Sequence, residues 1–254
     1  MPIPATTLHA RHTAGFEDRL LQTRALLVQA AHKHPGAIVQ ATSLGAEDMV
    51  VTDLVADLHL DIALATLDTG LLHLETQVQL EQVQARYGRQ VQRFEPDASQ
   101  VLHFVGRHGQ RAMFESVNLR KACCALRKLE PLQRMLQGRS AWVTGLRRGQ
   151  SSGRGQVQAV ETGADGRDKI NPLADWSGHD VWHYIATRQV PYNALHDQFF
   201  PSIGCAPCTR AVALGEDARA GRWWWEDEAA KECGLHTRAD SLADTHPNTQ
   251  EMPA

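Results

Sequence analysis

The chain has 254 residues, of which 43% are hydrophobic and 22% charged, and its formal net charge is -3 at pH 7. This composition is ordinary for a globular protein with one sizeable core, and the slight negative charge argues against a broad nucleic-acid-binding surface. Residues 1–20 lack the apolar segment of a secretory signal, and no apolar run approaches the ~18 residues that cross a membrane. We therefore expect a cytoplasmic protein that binds neither membranes nor nucleic acid, with cysteines that stay reduced.

The first part of the sequence alternates segments typical of helices and strands. Residues 16–34 place apolar side chains at a helical period, and residues 37–42 have the composition of a short buried strand. Residues 43–48 (SLGAED) form a tight loop that leads into a second helical pattern. The free N–H groups of a helix's first turn bind anions, so this loop is a candidate anion site. Glu47 and Asp48 could instead simply cap the helix.

A second strand and its turn repeat this arrangement. Residues 61–67 predict a strand, and the turn at residues 68–70 (DTG) follows it directly. Ligands of open α/β sheets bind at the carboxyl ends of the strands, so we expect this turn beside the first loop. Asp68 could equally be an ordinary turn residue. Residues 74–87 then predict an amphipathic helix, and residues 90–94 predict a strand.

Four of the five cysteines fall into two short segments that are far apart in the sequence. Cys123 and Cys124 lie near the start of a predicted helix over residues 119–136, and Cys205 and Cys208 form a CxxC turn. Two such pairs predict one four-thiolate site that closes on folding. Side chains of adjacent helical residues diverge by ~100°, which suits an iron-sulfur cluster with one iron per cysteine better than a single zinc ion. A zinc knuckle, a redox dithiol and buried apolar thiols remain alternatives.

Cationic side chains follow the Cys123–Cys124 pair and also a predicted strand further along the chain. Arg127 and Lys128 come within one turn of the cysteine pair, where they could offset the charge of a thiolate cluster or face solvent. A predicted strand over residues 141–145 ends close to Arg147 and Arg148. Guanidinium groups bind phosphate and sulfate through two parallel hydrogen bonds, so these arginines predict an oxyanion ligand.

The region that follows contains loops and one helix. Residues 151–169 are rich in Gly, Ser and Asp and predict a mobile loop, and residues 170–173 predict a short edge segment. Residues 177–180 (SGHD) resemble a capping box that opens a helix over residues 181–188.

Two arginines follow the CxxC turn. Arg219 and Arg222 are three residues apart and would share one face if this segment were helical, although they could also be ordinary surface charges. We assign no metal role to His179, His183 or His196, because their spacing matches no local ligand motif.

Three cysteine-bearing segments resemble one known family. Residues 123–128 (CCALRK), 203–210 (IGCAPCTR) and 231–236 (KECGLH) are similar to the assimilatory sulfonucleotide reductases, specifically the adenylyl-sulfate (APS) reductases. The resemblance extends over about residues 37–236, with several separate motifs in the same order.

Three further motifs agree with this resemblance. Residues 43–50 (SLGAEDMV) look like the modified PP-loop of these enzymes, and residues 67–70 (LDTG) and 145–151 (GLRRGQS) match two other family motifs. Leu44 departs from the SGGxDS loop of the related ATP pyrophosphatases. The resemblance therefore implies a loop that binds a nucleotide phosphate without cutting a pyrophosphate.

The resemblance implies a fold and an activity. The fold is a Rossmann-like adenine nucleotide alpha hydrolase (PP-loop) α/β fold over residues 1–208, with a mostly parallel sheet flanked by helices. Residues 209–254 would be a C-terminal segment with a flexible tail. The activity is thioredoxin-dependent reduction of APS to sulfite and AMP, in sulfate assimilation and cysteine biosynthesis, through a Cys-S-sulfonate on Cys233. Family members also suggest a homo-oligomer. A 4Fe-4S cluster would be held by Cys123, Cys124, Cys205 and Cys208.

The resemblance also implies a set of substrate-binding residues. The LDTG motif would line the adenosine pocket, Lys128 would connect the cluster to the substrate electrostatically, and Arg219 and Arg222 would bind the phosphosulfate group. The full set is Ser43, Leu44, Gly45, Ala46, Glu47, Leu67, Asp68, Thr69, Lys128, Arg147, Arg148, Gln150, Arg219, Arg222 and His236.

Two alternative functions remain open at this point. The substrate could be the 3'-phosphorylated form, PAPS, although the cluster cysteines favour APS. A tRNA-modifying PP-loop enzyme with a four-cysteine metal site is a more distant alternative. It predicts an intact SGGxDS loop and a basic surface, and the sequence has neither.

Overall fold

The computed structural model describes residues 3–151 and 154–227. Its centre is a six-stranded sheet of order β3-β2-β1-β4-β6-β5, in which β5 alone runs antiparallel to its neighbour. This sheet confirms the predicted α/β fold with mostly parallel strands. Cys233 and His236 lie outside the described residues. The strands are β1 (Ile38–Ala41), β2 (Ala63–Leu67), β3 (Val91–Phe94), β4 (Ala141–Val143), β5 (Val160–Thr162) and β6 (Asp168–Ile170).

The helices pack on both faces of the sheet, and the predicted ones are confirmed to within about two residues at most ends. None of the helices in the described ranges is long and apolar enough to cross a membrane. The helices are α1 (Ala5–His9), α2 (Phe16–Lys33), α3 (Ala46–Asp57), α4 (Leu74–Tyr87), α5 (Ala98–His108), α6 (Val117–Cys124), α7 (Glu130–Leu136) and α8 (Gly178–Arg188).

The central strand β1 is buried on both faces, as its apolar sequence predicts. Successive side chains of a strand point to opposite faces. Ile38 accordingly joins the core cluster that contains Met49 and Leu54 of α3, whereas Val39 packs in a second cluster with Met135 of α7. Packing on both faces of the sheet holds the end of this strand in a fixed position.

The prediction of a mobile loop over residues 151–169 is wrong for its second half. Residues 160–170 form the hairpin of β5 and β6, and β6 pairs in parallel with β4. Gly166 has a φ of 75° in the turn of this hairpin, a conformation that favours glycine. The predicted edge segment at residues 170–173 is also wrong, because Ile170 ends an inner strand and β5 is the edge.

The helix predicted over residues 119–136 is confirmed in extent but contains a wider turn. A π-helical turn (Ala125–Leu129) joins α6 to α7, just before Pro131. Proline has no N–H and its ring clashes with the carbonyl four residues earlier, so a wider turn relieves a conflict that a regular helix would have here. The capping box predicted at residues 177–180 is confirmed by reciprocal bonds between Ser177 and Asp180.

The segment that carries Arg219 and Arg222 is not helical. It consists of turns, and an isolated antiparallel bridge pairs Thr209 with Arg222. The two arginines are therefore brought to one place by turns and not by a shared helix face. The division of the chain at residue 208 stays a prediction.

Candidate active site

A cavity of about 280 Å³ opens at the carboxyl ends of β1, β2 and β4. Parallel α/β sheets bind their ligands at this position. The structure brings most of the sequence-predicted residues together in the wall of this one cavity. They are Ser43, Gly45, Glu47, Leu67, Thr69, Lys128, Arg147, Gln150, Arg219 and Arg222.

Four other predicted residues lie outside the wall of the cavity. Leu44 is only 1% exposed and Ala46 is also buried, so both side chains pack in the core. Asp68 faces Arg93 at 3.6 Å. Arg148 pairs with Asp175 and donates to the Val157 carbonyl at 2.8 Å, so Arg147 is the arginine of this pair that lines the cavity.

The loop after β1 is held by Asp48. The carboxylate of Asp48 accepts hydrogen bonds from the N–H and the hydroxyl of Ser43, both at 2.6 Å. Leu44 adopts a φ of 62°, which turns the chain into α3. A Cβ atom on Gly145, in the turn after β4, would lie 2.5 Å from Oδ1 of Asp48. This contact leaves no room for a side chain at residue 145.

The helix α3 has an N-terminus without a side-chain cap among the described residues. The carboxylate of Glu47 pairs with Arg147 at 2.8 Å in the cavity wall. Burial raises the pKa of Glu47, but Arg147, together with hydrogen bonds from Gln150 and from the backbone N–H of Glu47 itself, more than offsets burial and holds this pKa below its usual value. The interpretation of Glu47 and Asp48 as helix caps stays a prediction. The first-turn N–H groups of α3 are suited to an anion.

Asp48 is expected to make stability depend on pH. Burial raises the pKa of its carboxyl from 3.8 to about 6, so the folded state holds a proton that the unfolded state releases. The contribution of Asp48 is therefore present below about pH 4 and is lost as the pH rises towards about 6. Roughly 3 kcal/mol of unfolding free energy is at stake, at about 1.4 kcal/mol per pKa unit.

The measurement is urea unfolding between pH 4 and pH 7 for the chain and for Asp48→Asn, which cannot titrate at this position. The stability of the chain relative to the variant should fall with rising pH across this window. A constant difference between the two proteins would contradict the assigned shift.

One wall of the cavity is apolar. Leu67 at the end of β2, Leu132 and Met135 of α7, and Trp142 of β4 line it together. Such a surface is suited to a flat heteroaromatic ring. Sequence reasoning missed three of these four side chains, because their spacing is that of ordinary core positions. Other lining residues that it missed are Thr42, Thr66, Thr144, Arg154, His196 and Ser202.

Buried cations also line the cavity. Lys128, Arg147 and Arg222 are each less than 10% exposed. Arg222 lies over the ring of Trp223 at 4.7 Å and donates to the carbonyl of Ile203 at 3.2 Å. Several cationic side chains in one cavity wall are suited to an anionic ligand.

The four cysteines Cys123, Cys124, Cys205 and Cys208 are buried and form no disulfide in the described part of the chain. Three of them share one cluster, and Cys124 lies close enough to raise the pKa of Cys208, so we call this group the thiol pocket. Cys205 lines the cavity as well. Burial raises the pKa of Cys208 to about 12, and the nearby Cys205, Cys124 and Cys123 add to this rise. The thiol of Cys205 also contacts the hydroxyl of Thr69 at 3.3 Å, and both of these residues line the cavity.

Cations border the thiol pocket as well. Burial raises the pKa of Cys123, while Arg127 and Lys128 beside it act in the opposite direction. Lys128 also lines the cavity, so one ammonium group faces both sites. Within residues 3–151 and 154–227, no group of three or more His, Cys, Asp or Glu side chains is arranged to hold a metal ion. The donor set is entirely sulfur, which fits a thiophilic group, and the cations fit its negative charge.

A buried ion pair beside the cysteines was not foreseen from the sequence. Arg120 of α6 is 0% exposed, and its Nε and Nη2 donate to the carboxylate of Glu226 at 3.0 and 2.7 Å. The same guanidinium lies over Trp223 at 4.8 Å and interacts with Cys124. The pair thus connects the helix of the cysteine pair to the last described turn of the chain.

Replacing Arg120 with leucine should lower the free energy of unfolding by about 3–5 kcal/mol, because the buried carboxylate of Glu226 loses the guanidinium that pairs with it at 2.7 Å. Urea unfolding measures this loss. The double variant Arg120→Leu/Glu226→Leu should recover much of it, since neither charge then remains. Equal instability of the single and double variants would show that the charge balance is not the cause.

The comparisons with known proteins agree with this site. A family described as "Phosphoadenosine phosphosulfate reductase domain" matches residues 37–211. The chain is 53% identical over 244 residues to "Adenosine 5'-phosphosulfate reductase" of Allochromatium vinosum, covering 95% of this chain and 92% of that protein. A protein of the same name from Neisseria meningitidis serogroup A is 50% identical, with 87% and 93% covered.

Solved structures show the same fold. A phosphoadenylyl-sulfate (PAPS) reductase from Candida auris, in a phosphate complex, has a TM-score of 0.63 at 25% identity and covers 80% of this chain and 100% of that chain. An FMN adenylyltransferase of Candida glabrata has a TM-score of 0.54 at 14% identity, with 90% and 81% covered, a likeness in fold alone. The chain therefore belongs to the phosphoadenosine phosphosulfate reductase domain family, among relatives that are named adenosine 5'-phosphosulfate reductases.

Proposed function

We propose that the chain reduces adenosine 5'-phosphosulfate (APS) to sulfite and AMP, with electrons from thioredoxin or a similar dithiol protein. One observation carries this proposal. A cavity with an apolar wall and buried cations lies directly beside four buried cysteines, and Lys128 faces both. The names of the relatives support the same substrate and reaction.

The cavity offers a partner for each part of the nucleotide. The apolar wall around Trp142 would hold the adenine ring, and the N-terminal turn of α3 with Ser43 would bind the phosphate. Arg147, Arg219 and Arg222 would then face the phosphosulfate, where negative charge moves to the leaving phosphate during the reaction.

We propose Cys233 as the nucleophile. Its thiolate attacks the sulfur of APS, the bond between sulfur and the phosphate oxygen breaks, and AMP leaves with that electron pair. A thiolate of the dithiol protein then attacks Sγ of Cys233 and releases sulfite, and its second thiol resolves the mixed disulfide. Two thiols are oxidised to one disulfide for each sulfite formed. The cationic wall reduces the repulsion between an anionic thiolate and an anionic substrate.

We further propose that Cys123, Cys124, Cys205 and Cys208 hold a 4Fe-4S cluster. Their burial, their common pocket and the cations beside them support this assignment. When bound, the cluster supplies an anionic centre next to the cavity. The ammonium group of Lys128 would interact with this anionic centre and with the phosphosulfate, and would thereby couple the two electrostatically.

The 3'-phosphorylated substrate, PAPS, is the second candidate. The name of the matched domain family and of the Candida auris structure supports it, whereas the names of the most similar relatives support APS. Family membership gives the tRNA-modifying alternative no support.

We also propose a cytoplasmic homo-oligomer. The oligomer rests on the family resemblance, and size-exclusion chromatography coupled to light scattering tests it. A monomer at all concentrations would overturn it.

The test of the proposed function uses anaerobically purified protein. We expect sulfite from APS when thioredoxin is supplied, and much less from PAPS. A shoulder near roughly 400 nm, with about four irons and four sulfides per chain, would establish the cluster. One zinc and no sulfide would overturn the cluster alone. The absence of sulfite from both nucleotides, in protein with intact metal content, would overturn the reaction.

A further inference from the structure

His196 lines the cavity without a hydrogen-bond partner. Its side chain is 7% exposed, and neither Nδ1 nor Nε2 makes a hydrogen bond of good geometry to any group in the described part of the chain, although the Phe200 carbonyl lies close to the ring. Most buried polar side-chain atoms in folded proteins have a partner. An unpaired imidazole in a ligand cavity therefore suggests that the ligand completes its hydrogen bonds.

The ring of His196 is held firmly in this position. Asn193 accepts hydrogen bonds from the N–H groups of both Leu195 and His196 at 3.0 Å, and its amide donates to Thr76 at 2.9 Å. The imidazole also packs edge-on against Trp182, with ring centroids 5.1 Å apart. The backbone hydrogen bonds and the contact with Trp182 hold the ring in place without using either ring nitrogen.

The ring is also neutral. Burial lowers the pKa of His196 to about 4, and nearby Glu47 and the Phe200 carbonyl oppose this shift only in part. A neutral imidazole has one donor and one acceptor nitrogen. Phosphate and sulfate oxygens only accept hydrogen bonds, and Lys128 and Arg147 in the same wall carry only donors, which suit such groups. A hydroxyl group both donates and accepts, so it matches the ring on chemistry.

We propose that His196 is a further substrate-binding residue, whose imidazole hydrogen-bonds a ribose hydroxyl of the bound nucleotide. This inference rests on the proposed function, because the ribose carries the hydroxyl groups of APS and AMP. It assigns a role to a histidine for which the sequence pattern gave none.

The test measures AMP binding by calorimetry in a cycle of protein and ligand changes. AMP, 2'-deoxy-AMP and 3'-deoxy-AMP are titrated into the metal-loaded protein and into His196→Phe. In the unsubstituted protein, one deoxy analogue should bind roughly 5- to 10-fold more weakly than AMP, the loss expected for one uncharged hydrogen bond. His196→Phe should bind AMP roughly 5- to 10-fold more weakly than the unsubstituted protein does, as expected for the loss of the same hydrogen bond. This variant should bind the sensitive deoxy analogue as tightly as it binds AMP.

Two variants control for structural effects. His183→Phe removes another partly buried histidine, whose ring packs on Phe16 at 4.9 Å outside the cavity wall, and AMP affinity should stay unchanged. His196→Asn keeps one donor and one acceptor and should recover part of the sensitivity to the missing hydroxyl. If His196→Phe does not fold, the comparison of His196→Asn with the unsubstituted protein carries the test.

Additive losses from the protein and ligand changes would overturn the inference, as would unchanged AMP affinity in His196→Phe. If the His196→Phe change were coupled to the replacement of AMP by inosine monophosphate, and not to removal of a ribose hydroxyl, His196 would contact the base. That result would also overturn the inference. Failure of the proposed function is visible separately, because it requires that the unsubstituted protein form no sulfite from APS.

Discussion

Replacing Cys233 with serine should lower sulfite formation from APS by at least roughly 10³-fold, because a neutral serine hydroxyl is a far weaker nucleophile than a thiolate. AMP affinity and metal content should stay at the level of the unsubstituted protein, since the cavity and the four-cysteine pocket are built from other residues. Single-turnover assays without a dithiol measure the loss. Mass spectrometry should find a sulfonate adduct on the unsubstituted chain and none on the variant.

The matched control for this variant is Cys205→Ser, which changes one of the four clustered cysteines. Cys205→Ser should behave differently from Cys233→Ser in metal content, as argued next. Sulfite formation at an undiminished rate in Cys233→Ser would mean that another group attacks the sulfur. The proposed intermediate would then be wrong.

Replacing Cys205 with serine should remove bound iron and activity together, with activity falling by more than roughly 100-fold. Cys205 is buried against Thr69 and lines the cavity, so it belongs to both sites. A serine oxygen is a poor ligand for iron in a sulfur site, and loss of one ligand destabilises the whole cluster. The same outcome is expected for Cys123, Cys124 and Cys208.

Iron and sulfide content, the absorbance near roughly 400 nm and the rate of sulfite formation are measured on the same preparation. Far-ultraviolet circular dichroism separates loss of the cluster from loss of the fold. An intact and active enzyme after Cys205→Ser would refute the four-cysteine assignment. Retention of metal with complete loss of activity would give Cys205 a direct part in the chemistry instead.

The sequence was most informative where a segment was long or a motif was specific. The helix predicted over residues 74–87 has those bounds in the structure, because fourteen residues show a clear helical period. Ser43, Leu67 and Arg147 were found at or after strand ends, which the topology of a parallel sheet brings together. Arg219 and Arg222 follow no strand and were assigned through the family resemblance. The hairpin of β5 and β6 was missed, since strands of three residues are too short to show a period.

The sequence could not decide orientation or partners. Arg147 and Arg148 are adjacent, and only the folded backbone determines which of them faces the cavity. The partner of Arg120 lies 106 residues away, and neither residue belongs to a recognisable motif. His196 was set aside as a metal ligand, and its place in the wall depends on packing around Asn193. Such features arise from tertiary contacts, which local patterns do not encode.

The Arg120–Glu226 ion pair has a kinetic consequence for the proposed reaction. Cys233 follows Glu226 by seven residues, and seven residues span at most ~25 Å, so chain length limits the distance between the proposed nucleophile and this ion pair to that value. Its effective concentration at the bound nucleotide is then set by chain length and not by the amount of enzyme. Formation of the sulfonate should be first order in the enzyme-substrate complex, whereas release of sulfite should depend on the concentration of the dithiol protein.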